Sequence, residues 1–280
     1  MKKLLRRIAE HLGYRYFKIA YQPVGLDHAH DVARFLGSVG NVKVVFDVGA
    51  NEGQTAEHYV RAFPSAQIYS FEPVAATYKS LVERVSKWPR VRTFQLAFAD
   101  RNRTARIQLV PVSGWNSLHN ELNNNCSSTP HELVEIRTLD SFCAEENINH
   151  IDLLKTDTEG FDLEVLKGAE VMLRARQIQF ILAEVTFHPE NTYHTSFFRF
   201  AEYLQGLKYH FVDLYDEDVA PFSRPPLLYC NALFTCAQMG LISVPAIAFR
   251  GVLTQATEAS VAATQRSRLE FGRKAQGTTR

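Results

Sequence analysis

Cysteine is scarce in this chain and badly spaced for chemistry. Cys126, Cys143, Cys230 and Cys236 lie 17, 87 and 6 residues apart. No pair fits a zinc knuckle or a C-x-x-C redox motif, so they are expected to be reduced thiols. Long apolar runs are lacking too: there is no stretch of 18 uncharged apolar residues, so no membrane-spanning helix is expected. The opening segment "MKKLLRRIAEHLGYRYFKIA" has charged or polar groups throughout its would-be apolar centre and does not read as a signal peptide. These absences predict a cytoplasmic protein. No internal repeat is visible, and a strong overall charge is missing as well, the net value being +1.

That small net charge conceals an asymmetry. Residues 1–20 carry six Lys and Arg against one Glu, and residues 241–280 carry six against two, which leaves residues 21–240 at −8. Leu4, Leu5, Ile8 and Leu12 follow helical spacing among the first cations. Such a helix can dock on the body or rest peripherally on an anionic membrane surface. The tail is rich in Ala, Thr, Gln and Arg and offers little apolar surface to bury, so it is expected to be mobile or a peripheral helix. The expected organisation is an N-terminal helical extension over 1–40, a main domain over 41–240 and a basic tail over 241–280.

Within the main domain, apolar runs alternate with helical patterns. "VKVVFDV" (42–48), "QIYSFEP" (67–73), "VRTFQLAFAD" (91–100), "IDLLKTD" (151–157) and "IQFILAEV" (178–185) read as strands. Helices are predicted over 54–63, 75–87, 140–147 and 161–174. The alternation implies a mostly parallel sheet covered on both faces. Another helix, "TSFFRFAEYLQGL", precedes two strands, "YHFVDLY" and "LLYCNALFTC", with no helix between them, which predicts an antiparallel hairpin at one edge.

The stretch "VVFDVGANEGQTAEHYV" (44–60) carries the first chemical signal. In doubly wound sheets, ligands bind beyond the carboxyl ends of the strands, where a glycine-bearing turn leads into a helix. Gly49 and Gly53 would let backbone approach a ligand, Asp47 would form the cleft floor, and Glu72, 19 residues after Gly53, would accept both hydroxyls of a ribose. Asn51 stands where a dinucleotide fingerprint needs its middle glycine, so a diphosphate fits poorly. An acid opposite the turn favours a ligand with an ammonium and a sulfonium, as in S-adenosylmethionine, with its adenine near Ala97 to Asp100.

The motifs "DVGANEGQT", "FEP", "LAFAD", "GWNSL", "RTLDSF", "IDLLKTDTEGFDLEVLKGA" and "ILAEV", in that order from Val42 to Val185, resemble those of the FkbM-type methyltransferases. The resemblance implies the class I, Rossmann-like methyltransferase fold, with a seven-stranded, mostly parallel sheet. It also implies an S-adenosylmethionine-dependent O-methyltransferase acting on a sugar, glycan or secondary metabolite. Asp47, Gly49, Asn51, Gly53 and Glu72 match the family's cofactor motifs, Pro73 and Ala97 fall within "FEP" and "LAFAD", and Asp100 is placed to meet the adenine amino group. Asp162 stands where the family usually has Glu.

The segment "KTDTEGFD" is a second chemical centre. Asp157 and Glu159 follow the fourth predicted strand and Glu184 ends the fifth, so all three acids are expected at one rim. Such a set can hold a divalent metal such as magnesium, with Asp157 and Glu184 as ligands. Equally, one acid or His188 can be a general base without metal. Lys155 is expected in a structural ion pair. Trp115 and Ser117 in "GWNSLHN" are candidates for the acceptor entrance. His28 and His30, beside Asp31, read as capping or surface residues. The expected partner is a small-molecule or saccharide acceptor. A non-catalytic cofactor- or partner-binding module is the alternative, and nucleic-acid methylation is a weaker one because no basic patch with interleaved aromatics lies near the cleft.

Overall fold

The computed structural model describes residues 22–109, 130–191, 194–219 and 227–237. The basic N-terminal segment, Trp115 and Ser117, and the tail lie outside the described residues. In chain order, α1 (His28–Phe35) leads to β1 (Val44–Val48), α2 (Gln54–Ala62), β2 (Gln67–Phe71), α3 (Ala75–Val85) and β3 (Val91–Phe94). There follow β4 (Ala97–Phe98), β5 (Arg103–Gln108), β6 (His131–Arg137), α4 (Leu139–Glu145), β7 (Ile151–Thr156), α5 (Asp162–Lys167) and α6 (Glu170–Arg174). The chain continues through β8 (Ile178–Thr186), β9 (Thr195–Ser196), α7 (Phe197–Gly206), β10 (His210–Val219) and β11 (Leu227–Thr235).

The main sheet has the order β3-β2-β1-β7-β8-β11-β10, with the short β9 pairing on β8. Strands β3 to β8 along that order are parallel, while β11 runs antiparallel to both β8 and β10. This is the doubly wound, Rossmann-like sheet with an antiparallel edge hairpin that the alternation of patterns implies. Side chains of one strand split between two cores because successive residues face opposite sides of the sheet. Phe46, Phe71, Leu154 and Ile181 pack under α4 to α7, whereas Val45, Ile68, Leu153 and Phe180 pack under α1 and α2. Each fully buried side chain of this size contributes roughly 1.5–3 kcal/mol. Among the described residues no helix is long and apolar enough to cross a membrane.

Three local expectations are corrected. The run 91–100 is not one strand: β2 ends at Phe71 and the last ladder bond is Glu72 N to Phe94 O at 3.1 Å, so beyond Phe94 the chain has no neighbour in the main sheet. It turns instead into β4, which pairs with β6 in a second sheet of order β4-β6-β5. The predicted helix 161–174 is broken at Gly168, where a Cβ would stand 2.1 Å from the Ala99 carbonyl oxygen; close backbone packing takes precedence over helical continuity there. His28 is no surface residue. Asp27 caps α1 through bonds from Ala29 N and His30 N, and His28 Nε2 lies 3.2 Å from the Tyr59 hydroxyl. Burial lowers the His28 pKa to about 4, so its ring is neutral near pH 7.

Two buried acids fasten this frame. Asp152 Oδ2 accepts from Lys43 N and Val44 N at 2.7 and 2.9 Å, tying the start of β1 to β7. Asp31, inaccessible to solvent, accepts from Gly25 N and from the Tyr215 hydroxyl, both at 2.9 Å, tying α1 to the edge hairpin. Tyr215→Phe removes one donor from that buried carboxylate and should lower unfolding stability by about 1–3 kcal/mol. Urea denaturation would read this as a lower midpoint at unchanged slope, and an unaltered midpoint would show the bond to be dispensable.

Candidate active site

The turn after β1 is shaped by its own backbone. Gly49 N and Ala50 N both donate to Phe71 O, at 3.0 and 2.9 Å, and Asp157 N donates to Val48 O. Gly49 has φ +78, and a Cβ there would stand 1.8 Å from Asp157 O. Gly53, with φ +90, would drive a Cβ to within 2.8 Å of Leu81 Cδ1 on α3. Left-handed backbone and close contact with Asp157 and α3 demand glycine at both positions, whatever approaches the turn from the cleft.

Beyond the strand ends opens a cleft of about 120 Å³, whose walls include Gly49, Asn51, Glu72, Pro73, Ala97 and Phe98. Asp157, Glu159 and Phe161 close its other side. Glu72 is nearly buried, and its two oxygens accept from Asn51 N at 3.1 Å and Val74 N at 2.9 Å. Burial raises its pKa to about 7 despite those two amides. The Asn51 amide, one of the turn donors that would otherwise serve a phosphate, is thereby taken by a carboxylate. Asp47 does not form the cleft floor. It is wholly buried beneath it, and the cation facing it is Lys155 Nζ at 3.7 Å. Asp100 lines a neighbouring hollow instead of this cleft.

Lys155 organises the second centre. Its ammonium, buried at the end of β7, also bonds Asp157 Oδ2 at 2.8 Å. Burial alone would lower its pKa, but Asp157 and Asp47 together hold it above the ordinary lysine value. Burial likewise raises Asp47 to about 6, with Lys155 opposing the rise. Around the rim, burial and the neighbouring charges of Glu184 and Asp157 raise Glu159 to about 8 and Asp162 to about 7. Asp162, the departure from the expected Glu, is buried and accepts from Thr158 N at 3.2 Å, closing the turn that presents Glu159. Glu159 itself has φ +54, a left-handed conformation unusual for a residue with a side chain.

A histidine that the sequence reading did not single out, His194, stands at this rim beside Glu184. His188 Nδ1 accepts from Glu190 N within its own turn. His194 Nε2 lies 3.2 Å from Glu184 Oε2, and its ring stacks on Tyr229 at 4.6 Å. Its Nδ1 stands 2.9 Å from Asn191 Nδ2 and 3.2 Å from Asn191 Oδ1, so the Asn191 amide is the partner of its other nitrogen. Burial opposes the charge, but Glu184 outweighs it and raises the His194 pKa. No local motif marks His194. It reaches Glu184 because β9 pairs on β8 with Val185 opposite Thr195, which places the preceding residues side by side. Glu159, Glu184 and His194 can each turn one ligand atom to a common point, all within 4.8 Å of one another. Asp157, expected as a metal ligand, is engaged by Lys155.

A doubly wound sheet with this strand order and a ligand cleft beyond β1 and β2 defines a class I, Rossmann-like methyltransferase architecture. The model of the methyltransferase FkbM domain matches residues 47–211, and the chain belongs to that family. Similar proteins include 2-O-methyltransferase NoeI of Sinorhizobium fredii, 28% identical over 144 residues, covering 46% of this chain and 58% of that one. Methyltransferase sdnD of Sordaria araneosa is 26% identical, over 54% of this chain and 68% of its own. The chain thus spans little more than half the length of NoeI. Aeropyrum pernix fibrillarin bound to S-adenosyl-L-methionine aligns with a TM-score of 0.41 at 14% identity, covering 73% of each chain.

The raised carboxyl pKa values have a stability consequence. Between about 4.5 and 8 the folded protein keeps a proton on Glu159 that the unfolded chain has lost. That contribution is full below the ordinary carboxyl range and disappears as pH rises through 8. Glu159→Gln should therefore raise the melting temperature of the ligand-free protein at pH above 8, by about 2–4 °C per kcal/mol of relieved repulsion, and leave it unchanged under mildly acidic conditions. An equal shift at both pH values would mean that Glu159 is not crowded by charge.

Proposed function

We propose that this chain is an S-adenosylmethionine-dependent O-methyltransferase acting on a hydroxyl of a small-molecule or saccharide acceptor. The observation that carries the reading is Glu72, seated on the amides of Asn51 and Val74 with one face toward the cleft. Each carboxylate oxygen keeps a lone pair for a ribose hydroxyl. Beside it, Pro73, Leu96, Ala97, Phe98 and Ile107 offer an apolar slot for a purine, and Asp157 and Glu159 present carboxyl oxygens to the cationic end of the ligand. The engagement of Asn51 N by Glu72 tells against a dinucleotide, whose pyrophosphate needs the turn amides. The names of NoeI and sdnD support methyl transfer, and NoeI supports transfer to oxygen.

When bound, S-adenosylmethionine supplies a methyl group whose carbon–sulfur bond breaks, the electron pair going to sulfur, as the acceptor oxygen bonds to carbon. Glu159 is the group that takes the hydroxyl proton, because it lines the cleft and its raised pKa makes it a stronger base than an ordinary carboxylate. Glu184 and His194 form an ion pair behind it, and Lys155 holds Asp157 at the rim. The chain's main work is alignment of oxygen with the methyl carbon.

Glu159, Glu184 and His194 favour one second reading, in which a divalent metal sits among them and orients the hydroxyl. Conversion of the methyl donor to S-adenosylhomocysteine, measured with a mixed glycan and metabolite extract, separates the two. With Glu159 as the base, kcat/KM should rise with pH through about 8, chelator should have no effect, and Glu159→Gln should cut the rate by about 10²–10⁴-fold while S-adenosylhomocysteine still binds. Arrest by chelator and recovery with magnesium or manganese would replace the base with the metal. Glu72→Ala should abolish binding of S-adenosylhomocysteine; unaltered binding would refute the placement of the donor.

A further inference from the structure

We propose that the acceptor carries an anionic group, a phosphoryl, sulfate or carboxylate substituent, and that this group docks in an arginine-lined hollow beside the donor cleft. The inference rests on the methyltransferase reading and adds the substrate class to it. The hollow measures about 350 Å³, against about 120 Å³ for the cleft, and Phe161 is a wall of both. Arg101 in the turn before β5, Arg103 on β5 and Arg199 in the first turn of α7 all line it. Arg101 and Arg103 belong to one segment, two residues apart, and Arg199 comes from another.

Two acids also border the hollow, Asp100 and Glu164. Asp100 lies 4.0 Å from Arg101, and Glu164 is bonded by Lys167 at 2.8 Å, so the lining sets three guanidinium groups against two carboxylates, one of them also met by a lysine. Arg199 stands in the first turn of α7, whose N-cap residue Ser196 makes no side-chain cap. The cleft, by contrast, is walled by Glu72, Asp157 and Glu159. One side of Phe161 is therefore acidic and the other basic.

The two sides are also joined through the backbone. Gly160 and Thr195 line the hollow, and their chain neighbours Glu159 and His194 stand at the acid rim. Thr195 Oγ1 donates to Gly160 O at 3.4 Å, which fixes the two segments against each other. A molecule with its anion among the guanidinium groups would extend past this contact toward Glu159 with a neutral hydroxyl. Guanidinium groups bind phosphoryl, sulfate and carboxylate oxygens through paired hydrogen bonds. The charge gradient across Phe161 would orient the acceptor and disfavour the reversed pose.

Titration calorimetry of the full chain with inorganic pyrophosphate, with and without saturating S-adenosylhomocysteine, tests this. Saturable binding is expected in both cases, weakening as salt rises. Arg101→Ala with Arg199→Ala, both at exposed positions outside the donor cleft, should raise the pyrophosphate Kd by roughly tenfold or more and leave S-adenosylhomocysteine binding unchanged. Glucose 1-phosphate and glucuronate, titrated in the same way, distinguish a phosphoryl from a carboxylate preference. Absence of saturable pyrophosphate binding, or the same affinity in the double variant, would overturn the proposal. Loss of S-adenosylhomocysteine binding in the unaltered protein would instead sink the donor assignment, and the pyrophosphate result would still be read independently.

Discussion

The active face of this protein depends on one buried ammonium. Lys155 lies between Asp47 on β1 and Asp157 at the end of β7, 3.7 and 2.8 Å from their carboxylates. Desolvating such a group costs several kcal/mol, and only close opposite charges offset it. Two acids do so here, which is why Lys155 stays charged although it is buried. The ion pairs join the two strands whose carboxyl ends bracket the cleft, at the level where Gly49 touches the carbonyl of Asp157 without room for a Cβ. Backbone contact and charge pairing thus act on the same pair of strands.

One lysine does not neutralise everything around it. Above it stand Glu159, Asp162 and Glu184, whose pKa values all rise because burial and mutual repulsion disfavour their charged forms. His194 relieves Glu184 in part. The rim therefore holds protons near neutral pH and gains both negative charge and the capacity to take a proton from a hydroxyl as pH rises through the raised values. The left-handed backbone at Glu159 keeps its carboxyl in this crowded place, and Asp162 stabilises the turn from within by receiving Thr158 N.

Much of this was legible in the order of residues. Buried strands such as "VVFDV" and "IDLLKT" read as apolar runs, and the helices between them by their period, because burial on both faces of a parallel sheet imposes those patterns locally. Glu72 was legible as well, since the end of β2 is set by the same alternation. The break between β3 and β4 was not, because "VRTFQLAFAD" carries no Gly or Pro to mark it and only the lack of a partner strand ends the ladder. Gly168 likewise interrupts a helical pattern for a reason that lies 69 residues away, at the Ala99 carbonyl.

What the sequence by itself determined was the alternating sheet, the turn after β1, the acid at the end of β2 and the acidic character of the rim. Each follows from neighbours within a few residues of one another. Which charges meet was decided only by tertiary structure: Asp47 faces Lys155, His194 meets Glu184, and arginines from β5 and α7 gather beside Phe161. The physical reason is that Coulomb energy depends on distance and burial, and both are products of strand pairing such as that of β9 on β8, which no local pattern encodes.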